Sequence, residues 1–541
     1  MRIRVRRFAL SDAKLFLSSL LVLSLFTVAN AQKNGPQLLT YEELVQLYEQ
    51  ATPNQELQTK LNTMLTTPFV SNSASDRGVK PLKPGSNALG QFLRVAFWNI
   101  ERGLEYESVA RALGAPPSFA SLLSKTKQAH SSAERNRILR EVSLLNQADV
   151  IILNEVDWGM RRTDYKNVAA DLAQSLRMNY AFGVEFVEVD PIALGIEKFD
   201  DVEATDKPAL LESIKVDRSQ YRGLHGTAIL SRYRLENVRL VPLKFQPHDW
   251  FEGEKKSVAP VEKGKRKLAE QVFLEKIYRE VRRGGRMILL ADIVDPSIPK
   301  GRMTIVATHL EDRTQPKNRE KQLEEVLEII KPIENPVVLA GDMNTSPEDG
   351  TPTSFKREIK KRLGSKSFWI QRGLTYATGF GVFKDIVIGG ITYTRNQADP
   401  TVRHVPLVAP NPTAGFFDEL KKFRFADGGA FDFRGEANRS IGGSTETLGN
   451  SNERGSKGFV TTFEVERKFG FVGKYKLDWI FVKPPSVTKP NGNSEPHLFA
   501  PHFGRTLKAL NYSLEDRISD HSPIVVDLPF GEPNLGKAPP Q

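Results

Sequence analysis

The sequence predicts an α/β fold, and three observations carry that reading. Short β-branched apolar runs of strand length recur at Phe92–Asn99, Ala148–Glu155, Gly226–Ser231 and Pro336–Ala340. Segments with helical spacing lie between them: Ile138, Leu139, Val142 and Leu145, then Val168, Leu172 and Leu176, then Leu323, Val326, Leu327 and Ile330. The apolar runs end on polar groups, among them Asn99, Glu155 and Asp342. In a sheet-based fold such ends gather at one edge, where ligands bind.

Taken in order, Met1–Ala31 has the form of an export signal. Arg2, Arg4, Arg6 and Arg7 make a basic start, Leu15–Val28 is a mostly apolar stretch of fourteen, and Ala29-Asn30-Ala31 is a small-x-small cleavage site. Fourteen residues are short for a membrane span, so the expectation is an exported chain, periplasmic or extracellular, with no transmembrane span once mature. Residues 32–90 read as an N-terminal helical segment and linker. Leu44, Leu47 and Tyr48 share one helix face, Leu57, Leu61 and Met64 another, and Ser71–Gly90 is rich in Ser, Gly, Pro and Lys. The main domain is expected over 91–530, with insertions at 190–222, 242–285 and 345–475 and a loose tail at 531–541.

The insertion 242–285 carries a basic amphipathic helix. Leu268, Val272, Phe273, Ile277 and Val281 form its apolar side, and Arg279, Arg282 and Arg283 lie near its end. Arg286–Ala291 and Met303–Thr308 read as paired strands, Leu477–Val482 and Ile524–Leu528 as later ones. Thr345–Tyr475 reads as a variable rim dotted with aromatics, including Phe368, Trp369, Tyr376, Phe380, Phe383, Tyr393, Phe416, Phe417, Phe431 and Phe433.

Formal net charge is +11, and the first 31 residues hold five Lys/Arg against one Asp, which leaves +7 without them. That mild basic excess suits anionic partners such as phosphates, nucleic acid or membrane surfaces. Cysteine is absent, which excludes disulfides, thiolate metal sites and a Cys nucleophile. No Gly-x-Ser-x-Gly elbow, Gly-x-Gly-x-x-Gly fingerprint or P-loop supports a serine triad or a nucleotide-cofactor fold.

The polar inventory at strand ends is Asn99, Glu155, His309, Asp342, Asn344, Asp478, Asp520 and His521. Asp342 and Asn344, two apart, project together. Four carboxylates in one cleft raise each other's pKa values, a difficulty that a bound cation removes. Oxygen ligands from Glu, Asp and Asn suit Mg²⁺ or Mn²⁺ better than zinc, and no His-Glu-x-x-His motif argues for zinc.

Seven motifs extend the reading. Trp98-Asn99, Leu153-Asn154-Glu155, Gly226-Thr227-Ala228-Ile229-Leu230-Ser231-Arg232, Thr308-His309-Leu310, Gly341-Asp342-Met343-Asn344, Leu477-Asp478-Trp479-Ile480-Phe481 and Ser519-Asp520-His521 resemble the endonuclease/exonuclease/phosphatase superfamily, in that family's order and over about Phe92 to Leu528. The resemblance implies a four-layered α/β sandwich, two mostly antiparallel sheets packed face to face with flanking helices. It implies metal-dependent hydrolysis of a phosphoester without a covalent intermediate. Glu155 would be the main metal ligand, supported by Asn99 and Asp520. Asp342 would orient or deprotonate the attacking water, with Asn344 beside the phosphate. His521, oriented by Asp478, would contact the scissile phosphate, and His309 would be the second imidazole there.

His225, just before Gly226, is a further candidate for substrate contact. So is Arg319 on the helix after His309, although an exposed helix face is the plainer expectation for Arg319 and Gln322. His130, His248, His404, His497 and His502 match no motif and are expected in surface or loop positions. The superfamily includes secreted deoxyribonucleases, abasic-site endonucleases, sphingomyelinases, inositol polyphosphate phosphatases and deadenylases, and the shared residues do not choose among them. The basic excess and the aromatic rim fit single strands or loops of nucleic acid; they also fit lipid head groups. The expectation is an exported Mg²⁺-dependent phosphodiesterase with no obligate protein partner. Nucleic acid stands slightly ahead of phospholipid as substrate, whether sphingomyelinase-like or phosphoinositide-type. The rival from another class is a non-catalytic phosphate-binding scaffold.

Overall fold

Two sheets packed face to face position everything that follows. They are seen in a computed structural model that describes residues 35–191, 194–196, 216–255, 281–346, 399–402, 411–456, 458–464, 474–485 and 496–535. The expected export signal, Leu268–Ile277 of the expected basic helix, and the aromatics Phe368 to Tyr393 lie outside these residues. The strands, in chain order, are β1 (Phe69–Ser71), β2 (Gly85–Ser86), β3 (Gly90–Arg102), β4 (Val150–Trp158), β5 (Asn179–Glu188), β6 (Leu224–Ser231), β7 (Leu235–Pro242), β8 (Arg282–Gly284) and β9 (Met287–Val294). They continue with β10 (Arg302–His309), β11 (Val337–Asp342), β12 (Arg454–Gly455), β13 (Gly458–Phe459), β14 (Phe463–Glu464), β15 (Lys474–Tyr475), β16 (Asp478–Lys483), β17 (His502–Thr506) and β18 (Ile524–Pro529).

The first sheet has the order β1-β5-β6-β4-β3-β18-β17, with β2 on β3 and β8 on β5; the second is β16-β11-β10-β9-β7. Only β3 with β4 and β10 with β11 are parallel pairs among the described strands. Strand alternation divides the core. Val95 and Phe97 of β3 face the second sheet, where they meet the cluster of Ile152, Ile229, Leu289, Ile305, Val338 and Ile480. Ala96 and Trp98 face the other way, into a cluster covered by the helices Tyr106–Leu113, Ser132–Asn146 and Val168–Leu176. The outer face of the second sheet is covered by the helices Pro316–Ile330 and Ala414–Lys422. These layers make the expected four-layered α/β sandwich. Each fully buried Leu, Ile, Val or Phe contributes roughly 1.5–3 kcal/mol relative to exposure.

The helices start where local chemistry favours it. Thr40 with Glu43, and Ser131 with Glu134, close reciprocal capping boxes. Helices Tyr41–Glu49 and Gln55–Thr66 bury Leu44, Leu47 and Tyr48, and Leu57, Leu61 and Met64, as their spacing predicts. Among the described residues, no helix is long and apolar enough to cross a membrane.

Four expectations change. The stretch from Ser71 to Gly90 is docked rather than a free linker: β2 pairs with β3, and Asp149 accepts the Leu82 and Lys83 N–H groups at 2.7 and 2.9 Å. Arg282 and Arg283 lie on strand β8, not at a helix end. The Arg283 guanidinium caps the helix Tyr41–Glu49 by donating to the Leu47, Gln50 and Ala51 carbonyls. Phe416, Phe417 and Phe431 are not a rim. They are buried in one cluster with Trp479 and Phe481 under the second sheet, and Phe433 packs partly buried against it. His502 is a buried residue of β17 whose Nδ1 meets the Ala500 carbonyl at 2.8 Å.

Candidate active site

The first sheet contributes an acidic cluster through broken register. β3 and β4 pair regularly up to Trp98↔Leu153 and Asn99↔Asn154, then slip before Arg102↔Val156. The slip uses left-handed backbone at Glu101 (φ +48°), Arg102 (φ +66°) and Glu155 (φ +51°). Non-glycine residues rarely adopt that region, and its strain persists only where surrounding structure holds it. Here Asn99 holds it: its Nδ2 donates to Glu155 Oε1 at 3.1 Å, and its Oδ1 accepts the Glu101 N–H at 3.1 Å. Glu101 Oε2 in turn accepts the Asp520 N–H at 2.9 Å. The motif ends also lock each other, because Trp98 Nε1 donates to the His521 carbonyl at 2.8 Å and Ser519 Oγ donates to the Asn99 carbonyl at 2.7 Å.

The second sheet contributes its groups through unbroken register, and His521 meets them from the approach to β18 of the first sheet. His309, Asp342 and Asp478 lie side by side at the ends of β10, β11 and β16. Asp342 Oδ2 is the meeting point: it stands 3.5 Å from His521 Nε2, 3.8 Å from His309 Nε2 and 3.3 Å from Asn99 Nδ2. Its other oxygen is held by the Asn344 N–H at 2.9 Å. The two imidazole spacings exceed hydrogen-bond length, which is the separation a bridging water or phosphate oxygen fills. His521 Nδ1 contacts Asp478 at 2.8 Å, so Asp478 sets the ring's orientation. Asn344 has φ +46°, and its Nδ2 donates to the Leu310 carbonyl at 2.9 Å, tying the exits of β10 and β11 together.

The protonation pattern follows from these neighbours. Burial raises the Asp342 carboxyl; the His521 imidazole opposes this and the Asp478 charge adds to it, leaving it at about 7. Burial would depress His521, but Asp478, Asp342 and Asp520 outweigh it and hold the ring cationic, well above its ordinary value. Burial with the Arg286, His225 and His521 charges depresses His309, which stays neutral. Burial would raise Glu155, but Arg102, His225, the Asn99 hydrogen bond and His521 hold it below its ordinary value. Burial and the Asp520 charge push Glu101 up to about 8, and Asp520 is raised mainly by burial, with the Glu155 charge adding.

The structure brings together Asn99, Glu155, His309, Asp342, Asn344, Asp478, Asp520 and His521. It adds Glu101, two residues after Asn99, which sequence reading passed over. It adds Asn154, whose Oδ1 accepts the Asp342 N–H at 2.9 Å across the two sheets and whose Nδ2 donates to Thr227 Oγ1 at 2.8 Å. It adds Glu185 on β5, 3.8 Å from His309 Nδ1 and bound by Thr227 and Arg286 at 2.5 and 3.0 Å. Arg319 is corrected from a substrate contact or exposed helix residue. Only 1 % exposed, it donates to the carbonyls of Glu311, Thr314 and Ser346, and so braces the loops that follow β10 and β11. Gln322 is likewise buried, accepting the Glu311 N–H at 2.9 Å.

The donor set fits a hard divalent cation. Glu101, Glu155 and Asp520 crowd together, and two of the three are raised in part by one another's charge, a repulsion that a cation relieves. Asn99 also tethers the cluster, its amide oxygen accepting the Glu101 N–H and its Nδ2 donating to Glu155. Among the described residues, the one trio whose ligand atoms come within 4.8 Å of one another is Asp342, Asp478 and His521, but there His521 Nδ1 already bridges both Asp478 oxygens.

Acidic oxygens on one side, with a raised carboxyl between two imidazoles on the other, are the parts of a site that cleaves phosphoesters. The chain belongs to the Endonuclease/Exonuclease/phosphatase family, whose model matches residues 96–521. It is similar to a solved endonuclease/exonuclease/phosphatase from Beutenbergia cavernae, at 16% identity over 81% of this chain and 72% of that one, with a TM-score of 0.31. It is also similar to the human Nocturnin catalytic domain (14% identity, 81% and 93% covered, TM-score 0.32). A 3'-5' exonuclease from Neisseria meningitidis is similar too (13% identity, 81% and 99% covered, TM-score 0.36). No curated protein matches the chain.

Proposed function

We propose that this chain is an exported, divalent-metal-dependent phosphodiesterase, acting on nucleic acid ahead of phospholipid. The observation that carries the reading is Asp342 Oδ2 set between His309 and His521 at 3.8 and 3.5 Å, opposite Glu101, Glu155 and Asp520. A carboxyl near neutrality is a general base matched to its task. Asp342 takes the proton of the attacking water, and Asn344 and Asn154 keep it in place through the N–H bonds described above. His521, cationic and held by Asp478, stabilises the charge that builds on the phosphoryl oxygens and gives a proton to the leaving oxygen. His309 donates from Nε2 to a second phosphoryl oxygen. Mg²⁺ or Mn²⁺ held by Glu155, Asp520 and Glu101 supplies Lewis-acid stabilisation when bound.

The basic excess of the sequence supports an anionic polymer as substrate. The aromatics Phe416, Phe417 and Phe431 no longer support it, since they are spent on the core. Export rests on the pattern of Met1–Ala31. A non-catalytic scaffold would be favoured by a degenerate site, and every expected residue is present. The test is to incubate the purified protein with plasmid DNA, RNA, sphingomyelin and a phosphomonoester, in Mg²⁺ and in EDTA. Mg²⁺-dependent cleavage of DNA or RNA is expected. Turnover of sphingomyelin alone would move the reading to phospholipid, and turnover of none would remove the enzyme reading.

A further inference from the structure

We propose that Asp157 and His225 form a second phosphate-binding station beside the catalytic centre, one that holds the phosphate next to the scissile one on a polynucleotide chain. This rests on the phosphodiesterase reading above and extends it from one phosphate to two.

The pair is built by three neighbouring strands. β6 lies between β4 and β5, and His225 is opposite Asp157 on one side and Phe186 on the other. This row is the one just past the bulge at Glu155, so it adjoins the acidic cluster. His225 Nδ1 meets Asp157 Oδ1 at 2.8 Å. Asp157 cannot turn away, because Arg162 grips it at 2.6 and 3.1 Å and continues to Glu188 at 3.0 Å. Phe186 flanks the imidazole, tilted 32° to it with ring centres 6.3 Å apart. Beside it Gly226 closes the strands tightly, since a Cβ there would come within 1.9 Å of the Gly183 carbonyl oxygen. The ring therefore has one orientation and one atom left to offer.

That atom is Nε2, which has no hydrogen-bond partner among the described residues. The arrangement repeats the other Asp–His pair: Asp478 holds His521 Nδ1 and leaves Nε2 for the reacting phosphate. His225 is 2 % exposed, in the same range as Asp342 at 2 % and His309 at 3 %. Its partner Asp157 stands two residues beyond Glu155 on β4, directly opposite His225. His225 differs in one respect. His309 and His521 both converge on Asp342, while the carboxylate partner of His225 is Asp157, on the first sheet. Two imidazoles already serve the scissile phosphate. The third is offset along the sheet edge, where the next phosphate of an extended chain would run. A core histidine needed only for packing would not require a carboxylate and a bidentate arginine to fix its rotation.

The test compares a dinucleotide, which has only the scissile phosphate, with a trinucleotide, which has one more. Binding is read in EDTA by fluorescence anisotropy, and kcat and KM in Mg²⁺, for the wild type, His225→Ala, His225→Gln and Asp157→Asn, each checked by thermal melting. His225→Ala should weaken trinucleotide binding and raise its KM about tenfold more than it does for the dinucleotide, the scale of one charge-assisted hydrogen bond. His225→Gln, which keeps a donor, should recover part of the loss, and Asp157→Asn should lose less than His225→Ala. Equal effects on the two substrates, or none, overturn the second station while leaving the phosphodiesterase reading intact. A wild type that binds and cleaves neither substrate overturns both.

Discussion

The two sheets build their halves of the site by opposite means. The first sheet places Glu101 and Glu155 by breaking register just past Asn99, with Glu101, Arg102 and Glu155 in left-handed backbone. The second places His309, Asp342 and Asp478 by keeping register to the last pair. The difference reflects what each half must do. Regular alternation sends neighbouring side chains to opposite faces. A bulge overrides the alternation. His309, Asp342 and Asp478 come from neighbouring strands, so ordinary pairing already sets them side by side, and His521 joins them from the approach to β18 of the first sheet.

The comparison can be broken first by activity. Glu155→Ala should abolish Mg²⁺-dependent hydrolysis, and Asp342→Asn should lower kcat about 10³-fold or more, with unchanged circular dichroism. Survival of activity in Glu155→Ala would show that the bulged half does not hold the cation. Asp478→Asn acts only through His521, so a smaller loss of about 10²-fold in kcat is expected, with KM little changed in steady-state kinetics.

Stability tests the packing of each half. Gly226 in β6 and Gly341 in β11 leave no room for a Cβ, which would approach the Gly183 and Thr308 carbonyl oxygens to 1.9 and 2.0 Å. Gly226→Ala and Gly341→Ala should each cost roughly 1–3 kcal/mol in urea denaturation, by forcing neighbouring strands apart. If only one of them does, the halves differ in how far they can relax.

The smallest effect is a pH dependence of the metal-free protein. Asp342 and Glu101 ionise at about 7 and about 8 when folded, above their unfolded values near ~4. Raised carboxyls favour the folded state below the unfolded pKa and lose that contribution as pH rises through the folded pKa. Stability in EDTA should therefore fall between about pH 4 and pH 8. Asp342→Asn should flatten the fall, and Mg²⁺ should reverse it, both measurable as thermal midpoints.

Much of the site was legible because strand ends announce themselves. Asp342 and Asn344 follow an apolar run, and Asp520 and His521 precede one. Glu101 was not singled out, because the register slip and left-handed backbone beside Asn99 leave no mark in the sequence. Glu185 was missed with its strand, in which Gly183 reads as a breaker. The structure shows why glycine is there: a Cβ would press on Leu240 at 2.7 Å. Arg319 and Phe416 were misread for one reason. Polar residues on a helix, and aromatics in a loop-rich stretch, do not reveal whether another layer covers them.

The sequence by itself determined the alternation of strands and helices, the apolar faces of those helices and the order of the polar strand ends. These are local patterns, set by the side-chain periods of 2 and 3.6 residues. Only the tertiary structure decided which groups share a centre. Asn99 reaches Asp342 across 243 residues of chain, and Trp98 reaches His521 across 423. It also decided that Asn99 tethers Glu101 and Glu155, that Arg319 braces two loops, and that His225 turns to Asp157. Those outcomes depend on bulges and on burial by distant segments, and neither leaves a periodic trace in the chain.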